Sequence, residues 1–85
     1  MNTITLLCSC TDRTGIVAAM TNFVAEYGGN IIDLDQHSDA DRFFMRIIWE
    51  ESGFKLDREE LPAALKIVAK KFDDMHWEIF FSSPR

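Results

Sequence analysis

Between Thr3 and Cys10 the apolar positions alternate. Ile4, Leu6, Cys8 and Cys10 fall on one parity and Thr3, Thr5, Leu7 and Ser9 on the other, the two-residue period of a strand with one buried face. From Ile16 to Tyr27 the spacing changes: Ile16, Met20, Phe23, Val24 and Tyr27 recur in steps of three and four, which predicts an amphipathic helix. Gly28-Gly29-Asn30 ends it, with glycine or asparagine available for the left-handed position after the last turn.

Alternation returns from Ile31 to Ser38, where Ile32, Leu34 and Gln36 share one face and Asp33, Asp35 and His37 the other. Asp39-Ala40-Asp41 predicts a turn. Arg42 to Glu50 then alternates again, with Phe43, Met45, Ile47 and Trp49 on one face and Phe44, Arg46, Ile48 and Glu50 opposite. The two runs predict a hairpin whose first arm is polar. After a loop at residues 51–55, Leu61, Ala64, Leu65, Val68, Ala69 and Phe72 mark a second amphipathic helix. Asp57 and Glu60 stand at the spacing of a capping box. Pro62 lies late for that cap, because it deletes a helical hydrogen bond if the helix begins at Arg58. A last strand, Met75 to Ser82, turns Trp77, Ile79 and Phe81 inward.

The order is β-α-β-β-α-β. Right-handed crossovers put both helices on one face of a four-stranded antiparallel sheet, so the fold class is α+β, a ferredoxin-like sandwich formed by residues 1–85 as one domain. The other sheet face then meets water or a partner. Leu7, Phe44, Ile48 and Phe80 point there, more apolar surface than a solvated face needs. The second strand is an edge, with unpaired backbone groups available to a symmetry mate.

Charge removes several classes of function. The formal net charge is −5, and the nine Lys and Arg residues are scattered apart from Lys70-Lys71. No basic stripe is present for nucleic acid and no basic amphipathic face for a membrane surface. The start, MNTITLLCSC, lacks a basic leader and reads as strand, and no apolar run approaches the ~18 residues of a membrane span. A cytoplasmic protein is the expectation. Cys8 and Cys10 share the inward face of the first strand and read as buried free thiols of a reducing compartment. A metal reading needs further ligands, and His37 and His76 are the two histidines. No metal and no cofactor are expected, and no nucleophile and base are spaced as a catalytic set.

The stretch Thr11-Asp12-Arg13-Thr14-Gly15 joins the first strand to the first helix and has two readings. Asp12 or Thr14 caps the helix in the ordinary way, or the turn leaves the first helical N–H groups open to an anion.

The DR-x-G-I-V turn, the G-x-N-I start of the second strand and the βαββαβ order resemble an ACT domain, the small regulatory module that senses amino acids in metabolic enzymes. Asp35-Gln36-His37-Ser38-Asp39 followed by Arg42-Phe43-Phe44-Met45-Arg46 is more specific. It resembles the amino-terminal ACT domain of formyltetrahydrofolate deformylases, which usually read CPDRPGIVA, GANI, DQHSD and RFFMR at these places. The resemblance runs from about Thr3 to Phe81. It departs at Thr11 and Thr14, where the family usually has prolines, and losing the second of these removes a pre-set φ angle ahead of Gly15.

The resemblance implies an effector site at Asp12, Gly15, Ile16 and Asn30. The Gly15 and Ile16 amides suit a carboxylate and Asp12 an ammonium, with Asn30 supplied across a homodimer formed by the edge strand and first helix. Otherwise these are a capped helix start and a left-handed turn residue. Glycine and methionine are the effectors it suggests. Gln36, His37, Leu7, Phe44, Arg46 and Ile48 are interface candidates, toward a second copy or a hydrolase domain of the same chain. Arg46 serves a partner's carboxylate or is a solvated charge, and His76 is surface. The implied activity of the parent, hydrolysis of 10-formyltetrahydrofolate to tetrahydrofolate and formate in one-carbon and purine metabolism, belongs to a separate hydrolase domain with an Asn, His and Asp set, outside these 85 residues. The alternative is a stand-alone ACT regulator of glycine or amino-acid metabolism. An RNA-recognition module shares the topology, but the first strand offers Thr5 and Leu7 where stacking aromatics are needed.

Overall fold

A computed structural model of the chain describes residues 1–84. The elements are β1 (Thr3–Thr11), α1 (Ile16–Glu26), β2 (Ile31–Asp39), β3 (Arg42–Glu50), α2 (Glu60–Ala69) and β4 (His76–Phe81). One antiparallel sheet runs in the order β2-β3-β1-β4. The expected sandwich therefore forms, with β2 and β4 as its edges.

The core lies between the sheet and the helices. Ile4, Leu6, Cys8 and Cys10 of β1 and Phe43, Met45, Ile47 and Trp49 of β3 pack against Ile16, Met20, Phe23 and Val24 of α1 and Leu61 and Leu65 of α2. Trp77, Ile79 and Phe81 of β4 flank it, half-buried. Trp49 is fully buried, its ring 5.3 Å from that of Phe54, and its indole N–H has no hydrogen-bond partner among the described residues.

Gly28 and Gly29 close α1 with a paired motif: the Gly28 N–H donates to the Ala25 carbonyl and the Gly29 N–H to that of Val24. Gly28 takes the left-handed position, at φ +79, as this cap requires. Asn30 does not, since among the described residues Ala40 alone of the non-glycines has a positive φ. The turn-residue reading of Asn30 is thereby corrected. Gly29 is required for a different reason: a Cβ there would lie 2.4 Å from Val24 Cγ1 and 3.1 Å from Trp49 Cδ1.

The expected capping box of α2 is made. Asp57 Oδ1 accepts from the Glu59 and Glu60 N–H groups, and Glu60 Oε1 accepts from the Asp57 N–H. The Leu61 N–H bonds to the Asp57 carbonyl. Pro62 has no N–H for the next bond, so the regular helix counts from Glu60, one turn beyond its cap.

One expectation changes on β2. Ile31 pairs with Trp49 and Asp33 with Ile48, so Ile32 is the extra residue of a bulge, and the face it was expected to share with Leu34 begins at Ile31. A bulge on an edge strand tightens its local twist. Leu34 and Gln36 share the face of the inward residues Ile47 and Met45 with which they pair, and both stay exposed.

Candidate functional site

The turn from β1 to α1 is fixed from two directions. The Asp12 N–H donates to the Asp41 carbonyl at 2.8 Å, and the Ser38 hydroxyl donates to Asp12 Oδ2 at 3.0 Å. Asp12 is thus tied to the β2–β3 hairpin and does not cap α1, and Thr14 does not cap it either. The residue at the cap position is Gly15, at φ +93 and without a side-chain hydrogen bond. That left-handed angle is cheap only for glycine. The first turn of α1 contains no acidic residue, so nothing in the helix itself offsets the positive end of its dipole. The capping alternative is corrected: the Asp12 carboxylate accepts from Ser38, and no side chain bonds to the start of the helix.

Asp74, which no motif singles out, organises the same end of the molecule. Its Oδ2 accepts from the Thr11 hydroxyl and N–H and from Arg42, and its Oδ1 from Arg13 at 3.1 Å. The Thr11 hydroxyl bond, with the Thr11 N–H and Arg42 assisting, holds the Asp74 carboxyl below the usual aspartate value. Both arginines near the turn are therefore already engaged by a carboxylate.

Asn30 lies at the other end of α1. Eleven helical residues separate it from Gly15, about 16 Å of rise. One chain does not bring Asp12, Gly15, Ile16 and Asn30 together. The Ile16 side chain belongs to the core and is 1% exposed, which leaves its N–H as the part available to a ligand.

The open sheet face is a second candidate. Leu7, Phe44 and Phe80 are exposed there and Ile48 is half-buried. His37 stacks on Phe44 at 5.0 Å between ring centres and 16° between planes. Arg46 is not a lone solvated charge: it reaches Asp33 at 3.0 Å and Asp35 at 3.8 Å across the hairpin. Gln36 points to the opposite face and does not join this group. His76, expected at the surface, is exposed at the start of β4. A shallow depression of about 330 Å³ runs along β1 over Leu7 and Ser9, between Phe44 and Arg46 on one side and His76 and Glu78 on the other.

Cys8 and Cys10 face the core. Burial pushes the Cys8 thiol up to about 11, with Cys10 adding to it, and burial raises Cys10 as well. Among the described residues no group of three or more His, Cys, Asp or Glu is placed to hold a metal ion, and no helix is long and apolar enough to cross a membrane.

Against known proteins, the model of the ACT domain family matches residues 4–70. The formyltetrahydrofolate deformylases of Bacillus subtilis and Synechocystis are 41% and 42% identical over 81 and 82 residues, 92% and 94% of this chain. The chain spans only 27% and 28% of their length. The crystal structure of a formyltetrahydrofolate deformylase from Pseudomonas syringae superposes on the whole chain with a TM-score of 0.92 at 34% identity, using 29% of that protein.

Proposed function

Because the chain belongs to the ACT domain family, we propose that it is the amino-acid-sensing and assembly module of a formyltetrahydrofolate deformylase. Such an enzyme takes 10-formyltetrahydrofolate and water to tetrahydrofolate and formate. Its chemistry would reside in the part of the relatives that these 85 residues do not match. The cytoplasm is the setting in which two buried free thiols stay reduced.

The observation that carries this reading is the uncapped start of α1 behind Gly15, beside an Asp12 held in place by Ser38. A small zwitterion fits both halves. Its carboxylate takes the Gly15 and Ile16 N–H groups at the helix start, and its ammonium takes Asp12. Glycine and methionine are the effectors of first choice.

A dimer through the β2 edge completes the site. An antiparallel pairing of two β2 strands centred on Asp35 sets residue 31 of one against residue 39 of the other. Asn30 of the partner subunit then lies beside Ala40 and Asp41, and the Asp41 carbonyl is the group that holds the Asp12 N–H. The exposed Leu34 and Gln36 flank the same seam.

A thermal-shift titration with glycine, methionine and serine, run beside light scattering, tests this. A ligand bound only by the native state adds about 2.7 kcal/mol at a hundredfold excess over its Kd. A selective rise in a dimer, absent in Asp12→Ala, is expected. A dimer indifferent to all three amino acids would reduce the proposal to assembly alone.

A further inference from the structure

The register of the sheet orders its open face into rows. Asp33, Ile48, Thr5 and Phe80 lie side by side across β2, β3, β1 and β4; Asp35, Arg46, Leu7 and Glu78 form the next row; His37, Phe44, Ser9 and His76 form the third. Leu7 sits midway between Arg46 and Glu78, and Thr5 midway between Ile48 and Phe80. Glu78 is exposed and has no ion pair among the described residues.

We infer that this face docks on the same face of a second copy, about a twofold axis that runs along β1 and sets Arg46 opposite the partner's Glu78. The charges select that axis. An axis along β3 sets Arg46 against itself, and one midway between β3 and β1 sets Asp35 against the partner's Glu78. An axis across the strands at Leu7 faces arginine with arginine and glutamate with glutamate. Along β1, the pairing of Arg46 with the partner's Glu78 occurs twice, once for each copy, while Ile48 meets the partner's Phe80, Phe44 meets the partner's His76, and Leu7 meets Leu7 on the axis.

Packed sheets lie about 10 Å apart and are rotated by about 30°. One strand from the axis, that rotation displaces a group by only about 2–3 Å, within reach of arginine and glutamate side chains. The acidic β2 row falls outside the overlap, where Asp33 and Asp35 keep their bonds to Arg46 and stay in water. Opposed charges at the centre then set the register and exclude the alternatives. Three overlapping strands are at the low end of the areas that hold dimers, so the association is concentration-dependent.

This interface is separate from the β2 edge and does not rest on it. If the edges also pair, the face takes dimers to tetramers; if they do not, it takes monomers to dimers. Sedimentation velocity over a concentration series of the 85-residue chain reads that doubling. Glu78→Arg and Arg46→Glu are each expected to weaken it by about tenfold or more, since each sets like charges opposite one another. An equimolar mixture of the two variants, and the double variant, are expected to restore it, because arginine again meets glutamate. Restoration by mixing also shows that both variants fold. The inference is overturned if the wild-type chain shows no such doubling, if the single variants leave it unchanged, or if neither the mixture nor the double variant restores it.

Discussion

Ser38, at the far end of the edge strand, donates a 3.0 Å hydrogen bond to Asp12 in the turn before α1. The bond makes the position of the carboxylate depend on the strand that the proposed dimer pairs. Ser38→Ala is expected to leave the unliganded melting temperature nearly unchanged, as an exposed substitution does. It is expected to weaken the amino-acid response about fivefold, the equivalent of ~1 kcal/mol for one hydrogen bond. Thermal-shift titrations of the two proteins side by side make the comparison.

Asp74 links β1, the turn and β3 through Thr11, Arg13 and Arg42. Its folded-state value is depressed, so its contribution to stability is present above the ordinary carboxylate range, about 3.9, and is lost as pH falls through the folded value. Asp74→Asn is expected to be less stable than wild type at pH 7, with the difference narrowing below about pH 4. Urea midpoints at pH 7, 5 and 3 read the two curves.

Two glycines separate two kinds of constraint. Gly29→Ala drives a methyl into Val24 and Trp49, and overpacking of this kind costs about 1–3 kcal/mol. Gly15→Ala meets nothing within 4 Å among the described residues beyond its chain neighbours, and its cost is the left-handed φ of +93, about 1–2 kcal/mol. Both are expected to lower the denaturant midpoint. Gly15→Ala is expected also to blunt the amino-acid response, and Gly29→Ala to leave it intact where the chain is still folded.

The two thiols give an alkaline prediction. With Cys8 raised to about 11 and Cys10 raised as well, the folded chain holds its thiol protons when the unfolded chain has released them. Their contribution to stability is complete below the ordinary thiol value and disappears as pH rises toward 11. Stability is therefore expected to fall between about pH 9 and 11, and less so in a Cys8→Ala, Cys10→Ala variant. At pH 8 the native thiols are expected to resist alkylation and to react once denatured.

The strands and helices were legible wherever one face carried the signal: β1 and β3 alternate cleanly, and α1 keeps its three-and-four spacing to the glycines that stop it. The Asp57–Glu60 cap was legible because both partners sit three residues apart. The bulge at Ile32 was not, since two isoleucines in succession fit either face and only pairing with β3 chooses. Asp12 looked like a cap because Ser38 is distant in sequence. Asp74 was invisible for the same reason: its partners at 11, 13 and 42 meet it only after the sheet has formed. The edges and the open face followed from topology, whereas the row that places Leu7 between Arg46 and Glu78 required the register.

The most direct measurement is a two-dimensional 15N–1H NMR titration of the chain with glycine and with methionine. Saturable shifts of the Gly15 and Ile16 amides, accompanied by Asn30 at the dimer seam, are expected from one of them, and are expected to vanish in Asp12→Ala. Saturating amino acid that moves none of these amides would contradict a sensor at the start of α1.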